Sequence, residues 1–407
     1  MRRRAYTTGL FLIAFCAALV VVMTARGQRK ESQTTPLADY AVSGPYTHKN
    51  LTIFLLHGAG QSQSPAPLTL QEALKRKLVV VRETGDVNRL TIQNRSNQDV
   101  FVQAGDIVKG GQQDRVLALD LIVPPKSGRI PIDAFCVEQG RWSRRGDEAV
   151  TAFSASNNVL ASKDLKIAAK AKGSQGDVWA NVSKTQEKLA MNMTIAPSAT
   201  PAPRRASPGG GPVSYSGAVA GEVPQAALSE PLIQARLGTV NGTSGRLQTL
   251  NDSAGLASVT DRASPSSLQL TLENKLVKDT ANDYVRNLSS IIKGKRDVVG
   301  FVFAINGQIN SADVYSSNAL FAKLWTKMLE ASAVEAIAEL KADEKFQPVE
   351  ASAVKAFLRE SQTGEAEAKS VTARTSLVKF ETEKNLFFET RDRSRNGKWV
   401  HRNYITK

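Results

Sequence analysis

From Ile195 to Pro212 the chain reads Ile-Ala-Pro-Ser-Ala-Thr-Pro-Ala-Pro-Arg-Arg-Ala-Ser-Pro-Gly-Gly-Gly-Pro, and no other stretch limits the fold more. Proline removes backbone donors and glycine is entropically costly to fix, so such a run does not belong in a packed core. Polar, Gly- and Ser-rich sequence continues to residue 266. A chain of 407 residues has room for two or three cores, and this break divides them. The expected order is a signal peptide or N-terminal anchor (1–27), a polar tether (28–47) and a β-rich half with two following helices (48–194). A mostly disordered linker (195–266), an α+β second half (267–345) and a tail containing a β-hairpin (346–407) complete it.

The N-terminus reads as an export signal. Arg2, Arg3 and Arg4 precede an apolar core from Gly9 to Met23, and Ala25-Arg26-Gly27 offers small residues for cleavage before Gln28. The apolar run is short for a bilayer span, which takes ~20 residues; an uncleaved anchor is the other reading. The expected location is therefore periplasmic or secreted, with a membrane tether through this segment if it stays in place. Cleavage would remove Cys16 and leave Cys136 as a lone thiol, which must be buried, paired between chains or reactive. The net charge of +15 is spread along the chain. It favours an anionic ligand, a polysaccharide or a membrane surface as partner, and export argues against nucleic acid.

Leu51–Leu56 should open the fold as a strand, and Thr69 with Glu72 forms a capping box at a helix start. Five apolar or alternating runs follow, at 78–82, 87–92, 99–103, 115–123 and 129–137, separated by turn residues. That spacing predicts an antiparallel sheet or sandwich. Helical periodicity takes over from Ser154 to Met193. In the second half a helix over Asn274–Ile292, a hairpin at Asn306-Gly307 and a helix from Asn318 to Leu340 give an α+β arrangement. Three strand-like runs end the chain, with Asn396-Gly397 as a second hairpin turn. The last, basic and aromatic, reads as a solvated edge strand protected by charge.

The groups able to bind or react concentrate in Gln103–Leu117 and Phe135–Trp142. Alternation along a strand from Arg115 to Val123 directs Arg115 to the apolar side, where Asp106, Asp114 or Glu138 could pair with it. Cys136 and Glu138, two apart on an extended chain, face one side. A carboxylate there raises the thiol pKa, so Glu138 is the better catalytic candidate, as a general base positioned by Arg115. Cys136 is the second. Asp106, Gln112, Arg115 and Arg141 are the ligand-binding candidates, and an Arg–Glu pair closing the end of a sandwich is the structural alternative. Asp313 reads as an ordinary solvated acid or a ligand residue. No cofactor motif is present: His57-Gly-Ala-Gly60 lacks the rest of a phosphate loop. No metal site is expected, because His48, His57 and His401 lie far apart in sequence.

Gly110–Leu117 (Gly-Gly-Gln-Gln-Asp-Arg-Val-Leu), Cys136–Trp142, Val298–Asp313 and Ala319–Trp325 resemble, in order, segments of the ARG and Rhodanese-Phosphatase-superfamily-associated protein domain. The resemblance covers residues 45 to 345 and departs from the pattern in the Pro/Gly/Ser insertion. It implies no particular activity; the name implies a genomic association with ADP-ribosylglycohydrolase-like and phosphatase-like proteins. Two functional readings follow. One is an exported binding or envelope-associated protein. The other is a hydrolase-like enzyme acting on an anionic, nucleotide-derived ligand, with Glu138 as base and Arg115 and Gln112 as anion binders.

Overall fold

The computed structural model describes residues 39–59, 65–156, 162–195, 258–341 and 344–407. The signal segment and the Pro/Gly/Ser linker lie outside the described residues. In chain order the first half gives β1 (Ala41–His48), β2 (Leu51–His57), β3 (Leu68–Thr69), α1 (Leu70–Lys75), β4 (Val79–Glu83), β5 (Arg89–Asn94) and β6 (Val100–Val102). Next come β7 (Ile107–Gly110), β8 (Arg115–Leu117), β9 (Leu121–Val123), β10 (Ile130–Cys136) and β11 (Phe153–Ala155). A short helix α2 (Lys163–Lys166) runs into a π-helical turn, Ile167–Lys172, before α3 (Gln175–Ile195). The remainder gives α4 (Leu268–Glu273), α5 (Lys275–Leu288), β12 (Val298–Ile305), β13 (Gln308–Tyr315), α6 (Asn318–Ala338) and α7 (Ala351–Glu360). It closes with β14 (Glu365–Ser370), β15 (Thr375–Glu381), β16 (Asn385–Asp392) and β17 (Lys398–Thr406).

The fold is α+β. Its largest unit is an eight-stranded antiparallel sheet in the order β1-β2-β12-β13-β17-β16-β15-β14, beside a six-stranded sheet β11-β7-β8-β10-β5-β4. A three-stranded sheet β3-β6-β9 contains the single parallel pair among the described residues, β3 with β6. The large sheet draws on both sides of the linker: Leu55 of β2 pairs with Phe301 of β12, and Asp313 of β13 with Asn403 of β17.

Local chemistry explains the main elements. Every residue of β12, Val-Val-Gly-Phe-Val-Phe-Ala-Ile, is buried, as expected for a strand covered on both faces. Phe301 packs edge-on to Trp325 of α6 on one face. On the other, Phe357 of α7 lies 6.2 Å from the ring of Tyr404. The Thr69–Glu72 capping box forms in both directions and starts α1. Asn306 and Gly307 take φ values of 53° and 73°, the left-handed pair that a two-residue hairpin turn needs. Among the described residues no helix is long and apolar enough to cross a membrane.

Three expectations need correction. The tether does not run to residue 47, because Ala41–His48 pairs antiparallel with β2 and forms the edge of the large sheet. The single strand expected over Arg115–Val123 is two strands in different sheets, since Asp120 turns inward between them and accepts the Ala104 N–H at 2.6 Å. Lys398–Thr406 is no solvated edge: β17 lies between β13 and β16, with His401 to Ile405 buried. Its charges are tolerated there because neighbouring strands answer them. Arg402 Nε donates to Glu389 Oε2 at 2.7 Å while its guanidinium lies 4.5 Å from the Trp399 ring.

Gly300 tests the packing of the large sheet. A Cβ at this position would stand 2.4 Å from the Asp313 carbonyl oxygen and 2.8 Å from Val314 Cα, both backbone. Gly300→Ala should therefore lower stability by about 1–3 kcal/mol in urea unfolding, as overpacking against fixed backbone does.

Candidate functional site

The central stretch folds its charges onto one another. Antiparallel pairing of β8 with β10 sets Arg115 opposite Cys136 and brings Asp114 to Glu138 just past the strand ends. Glu138 is fully buried and accepts the Asp114 N–H at 3.0 Å. Arg141 grips it with two bonds, Nε to Oε1 and Nη2 to Oε2, each 2.6 Å. Arg145 bridges the two acids: Nη1 reaches Glu138 Oε1 at 3.2 Å and Asp114 Oδ2 at 2.9 Å, and Nη2 reaches Asp114 Oδ1 at 3.0 Å. Ser267 Oγ, at the start of α4, also donates to Asp114 at 2.9 Å.

Two buried carboxylates and two guanidiniums thus answer one another, and Arg145 reaches outward to a third acid, Glu148, through Nε and Nη2. Burial pulls the Glu138 pKa upward, but Arg141, Ser264 and the Asp114 N–H outweigh it and leave it lowered. Asp114 goes the other way, raised by burial and by the Glu138 charge against the pull of Arg145. A carboxylate held as Glu138 is held is a weak base, with its lone pairs already accepting. Arg145 was not singled out in the sequence, although Arg144-Arg145 follows the Cys136–Trp142 segment directly.

The other candidates fall in separate places. Arg115 is fully buried, and its carboxylate neighbour is Glu83 of β4 at 3.7 Å rather than Asp106, Asp114 or Glu138. Adjacent residues of an extended chain point to opposite faces, so Arg115 turns away from the acids that Asp114 faces. Its Nη1 donates to the Gln113 carbonyl, whereas Nε and Nη2 have no hydrogen-bond partner. The half-exposed ring of Trp142 covers the guanidinium at 5.6 Å. Gln112 joins this group through its N–H, which donates to Glu83 Oε1 at 3.0 Å. Asp106 lies elsewhere, paired with Lys327 of α6. The Cys136 thiol is buried, its pKa pushed up to about 11 by desolvation, with the Glu83 and Glu138 charges adding and Arg115 opposing. Its backbone is clamped by Gln175, which exchanges two bonds of 2.9 Å with it.

A second buried cluster went unseen in the sequence. His401 Nδ1 lies 2.9 Å from Asp120 Oδ2, and Nε2 lies 3.0 Å from Asp313 Oδ1. Thr390 Oγ1 donates to Asp120 at 2.7 Å, Asn403 Nδ2 to Asp313 at 3.0 Å, and Lys170 Nζ stands 3.5 Å from Asp120. Asp313, expected to be solvated, is almost completely buried. Burial alone would lower the imidazole pKa, but the Asp120 and Asp313 carboxylates outweigh it and raise it. Desolvation likewise opposes ionisation of both acids, yet Lys170 with His401 at Asp120, and Lys166 with His401 at Asp313, hold their pKa values down. Lys170 itself is lowered by burial against the pull of the two acids. No sequence signal joined residues 120, 313 and 401; only strand pairing does. Among the described residues no group of three or more His, Cys, Asp or Glu could hold a metal ion.

An open space lies apart from both clusters. A polar cleft of about 430 Å³ runs between α3, the β12–β13 hairpin and the end of β17, with Lys163, Lys184, Lys188, Lys341 and Lys407 on its walls. Asp164, Glu335 and Glu339 are its acids. Glu335 is raised by burial. The Oδ1 atom of Asn310, a nearly buried lining residue, has no hydrogen-bond partner.

An α+β protein with internally neutralised charge clusters and one lysine-walled cleft is the class these features define. The chain belongs to the ARG and Rhodanese-Phosphatase-superfamily-associated Protein domain family, whose model matches residues 39–405. The match passes well beyond residue 345 because β14 to β17 are part of the large sheet. No curated protein and no solved structure matches the chain.

Two substitutions separate the clusters. Arg145→Ala leaves Asp114 and Glu138 without their shared cation and should cost about 3–5 kcal/mol in chemical denaturation. His401→Gln tests the pH linkage. A raised imidazole stabilises fully below its unfolded value of about 6.5 and loses this as pH rises through the folded value. Asp120 and Asp313, lowered, contribute above about pH 4 and lose that as pH falls. His401→Gln should therefore flatten the alkaline limb of the stability–pH curve while the wild-type protein keeps it.

Proposed function

We propose that the protein is exported and acts by binding an anionic ligand in the lysine-walled cleft, as a binding or envelope-associated protein. The observation that carries this reading is the convergence of five lysines from separated parts of the chain on one polar cleft that holds three acids. Four of them sit in solvent-exposed ion pairs (Lys184 with Asp164, Lys188 with Glu339, Lys341 with Glu344, Lys407 with Glu381), which are weak enough for an anion to replace. The lysines outnumber the acids, so the lining carries a net positive formal charge. A ligand bearing carboxylate or phosphate groups, such as an acidic polysaccharide segment, suits such walls. Export rests on Arg2–Arg4 and the apolar run after it. The charged residues of the central stretch support binding over catalysis, because their lone pairs and donors are largely spent on each other.

The test is thermal unfolding of the protein against a panel of acidic glycans and phosphorylated metabolites, with the double variant Lys184→Ala/Lys188→Ala beside it. A ligand that binds the native state raises the midpoint by mass action. The expected result is a rise in wild type that shrinks with salt and is absent in the variant. An equal rise in both proteins, or none in either, overturns the cleft as the site.

One observation favours the hydrolase reading. Arg115 keeps two buried donors without hydrogen bonds beneath the exposed Trp142, one of them 3.7 Å from Glu83, and an anion would be received there. That reading requires turnover of a phosphate ester or nucleotide-derived substrate, lost in Gln112→Ala, which leaves the buried carboxylates untouched. Absence of turnover in the wild type leaves the binding reading alone.

A further inference from the structure

The two edges of the eight-stranded sheet are treated differently. Strand β1 carries Pro45 and a register shift between Ser43 and Tyr46, both devices that blunt an edge against pairing. Strand β14, Glu-Ala-Glu-Ala-Lys-Ser, has neither. Its register with β15 runs unbroken from Glu365↔Glu381 to Ser370↔Ser376, and all six residues are exposed on both faces. Such an edge is a template for another strand.

Its free groups can be assigned. Val371 N donates to Thr375 O at 2.9 Å, continuing the same register by one pair. Residues of an antiparallel strand alternate in the side to which they bond, so Glu365, Glu367 and Lys369 direct their backbone groups to β15. Ala366, Ala368 and Ser370 turn theirs outward. The charges then select the partner. Placing a two-fold axis at Ala368 sets Ala366 opposite Ser370 of a second copy and Ala368 opposite its own equivalent, both as hydrogen-bonded pairs. Glu367 falls opposite Lys369 of the second copy, twice by symmetry, in the pairs where side chains approach most closely. Glu365 lies diagonal to the same lysine. A parallel in-register arrangement would instead align like charges, Glu against Glu and Lys against Lys.

We propose that β14 is a homodimer interface, in which two copies pair antiparallel about Ala368 and join their large sheets into one. The contact is isologous, with about six outward backbone bonds and two Glu–Lys pairs. A strand-to-strand contact of this length is small, so the dimer is reversible and concentration-dependent.

Sedimentation velocity on the purified protein over a wide concentration range tests it, with melting temperature read in parallel. Wild type should pass from monomer to dimer as concentration rises. Glu367→Lys and Lys369→Glu each place like charges opposite one another twice and should weaken the dimer about tenfold. The double variant Glu367→Lys/Lys369→Glu restores opposite pairs and should recover wild-type association. Ala368→Pro deletes an outward N–H at the centre of the contact without removing a bond to β15, and should give a monomer of unchanged melting temperature. Four results would overturn the proposal: a wild type monomeric throughout, a dimer indifferent to Ala368→Pro, a dimer indifferent to the single reversals, or a double variant no better than either single one.

Discussion

The imidazole of His401 between two buried carboxylates is the joint on which the molecule depends. Asp120 comes from the turn between β8 and β9, Asp313 from β13, and His401 from β17, so one ring ties the β-rich half to the large sheet. Removing any of these partners leaves charge in the interior, and that is far more costly than losing a surface pair. Lys170 enters the same cluster from a π-helical turn, a rare helix form, and its ammonium also lies 4.5 Å from the Phe388 ring. Each piece alone is unfavourable: a desolvated lysine, a desolvated imidazole, two desolvated acids. Together they balance.

The central stretch follows the same logic at a second place. Its density of charged residues drew attention as a site, and strand pairing turned that density inward. Once Arg145 arrived from the loop after β10, Asp114 and Glu138 acquired cations at hydrogen-bonding distance. Arg115 is the exception, with donors to spare under Trp142. Gln103, at the start of the stretch, likewise keeps its buried side-chain amide without a hydrogen-bond partner.

Much of the architecture was legible because local signals are strong. The Thr69–Glu72 box, the Asn-Gly turns at 306 and 396, the periodicity of α5 and α6, and the buried run of β12 all act within a few residues of themselves. What stayed hidden depends on pairings between distant segments. Arg402 and His401 looked like surface cations because Glu389 and Asp313 are their answers only once β16 and β13 lie beside β17. Alternation then sends His401 to one face of the sheet and Arg402 to the other. Asp120 broke an apparently continuous strand for the same reason, its partner being 281 positions away. The lysine cleft was equally invisible, since its walls come from four regions that share no motif.

The position of β17 has a consequence for how the chain acquires its structure. It is the latest strand in sequence, yet it sits between β13 and β16 near the middle of the sheet. Neither neighbour can bury its facing edge until residues 398–406 arrive. Elsewhere in the same sheet β2 pairs with β12, as in Leu55 with Phe301, across most of the chain, which raises contact order and slows the search. Closure of the sheet therefore waits on residues 398–406, with chain order acting as a timer set by topology.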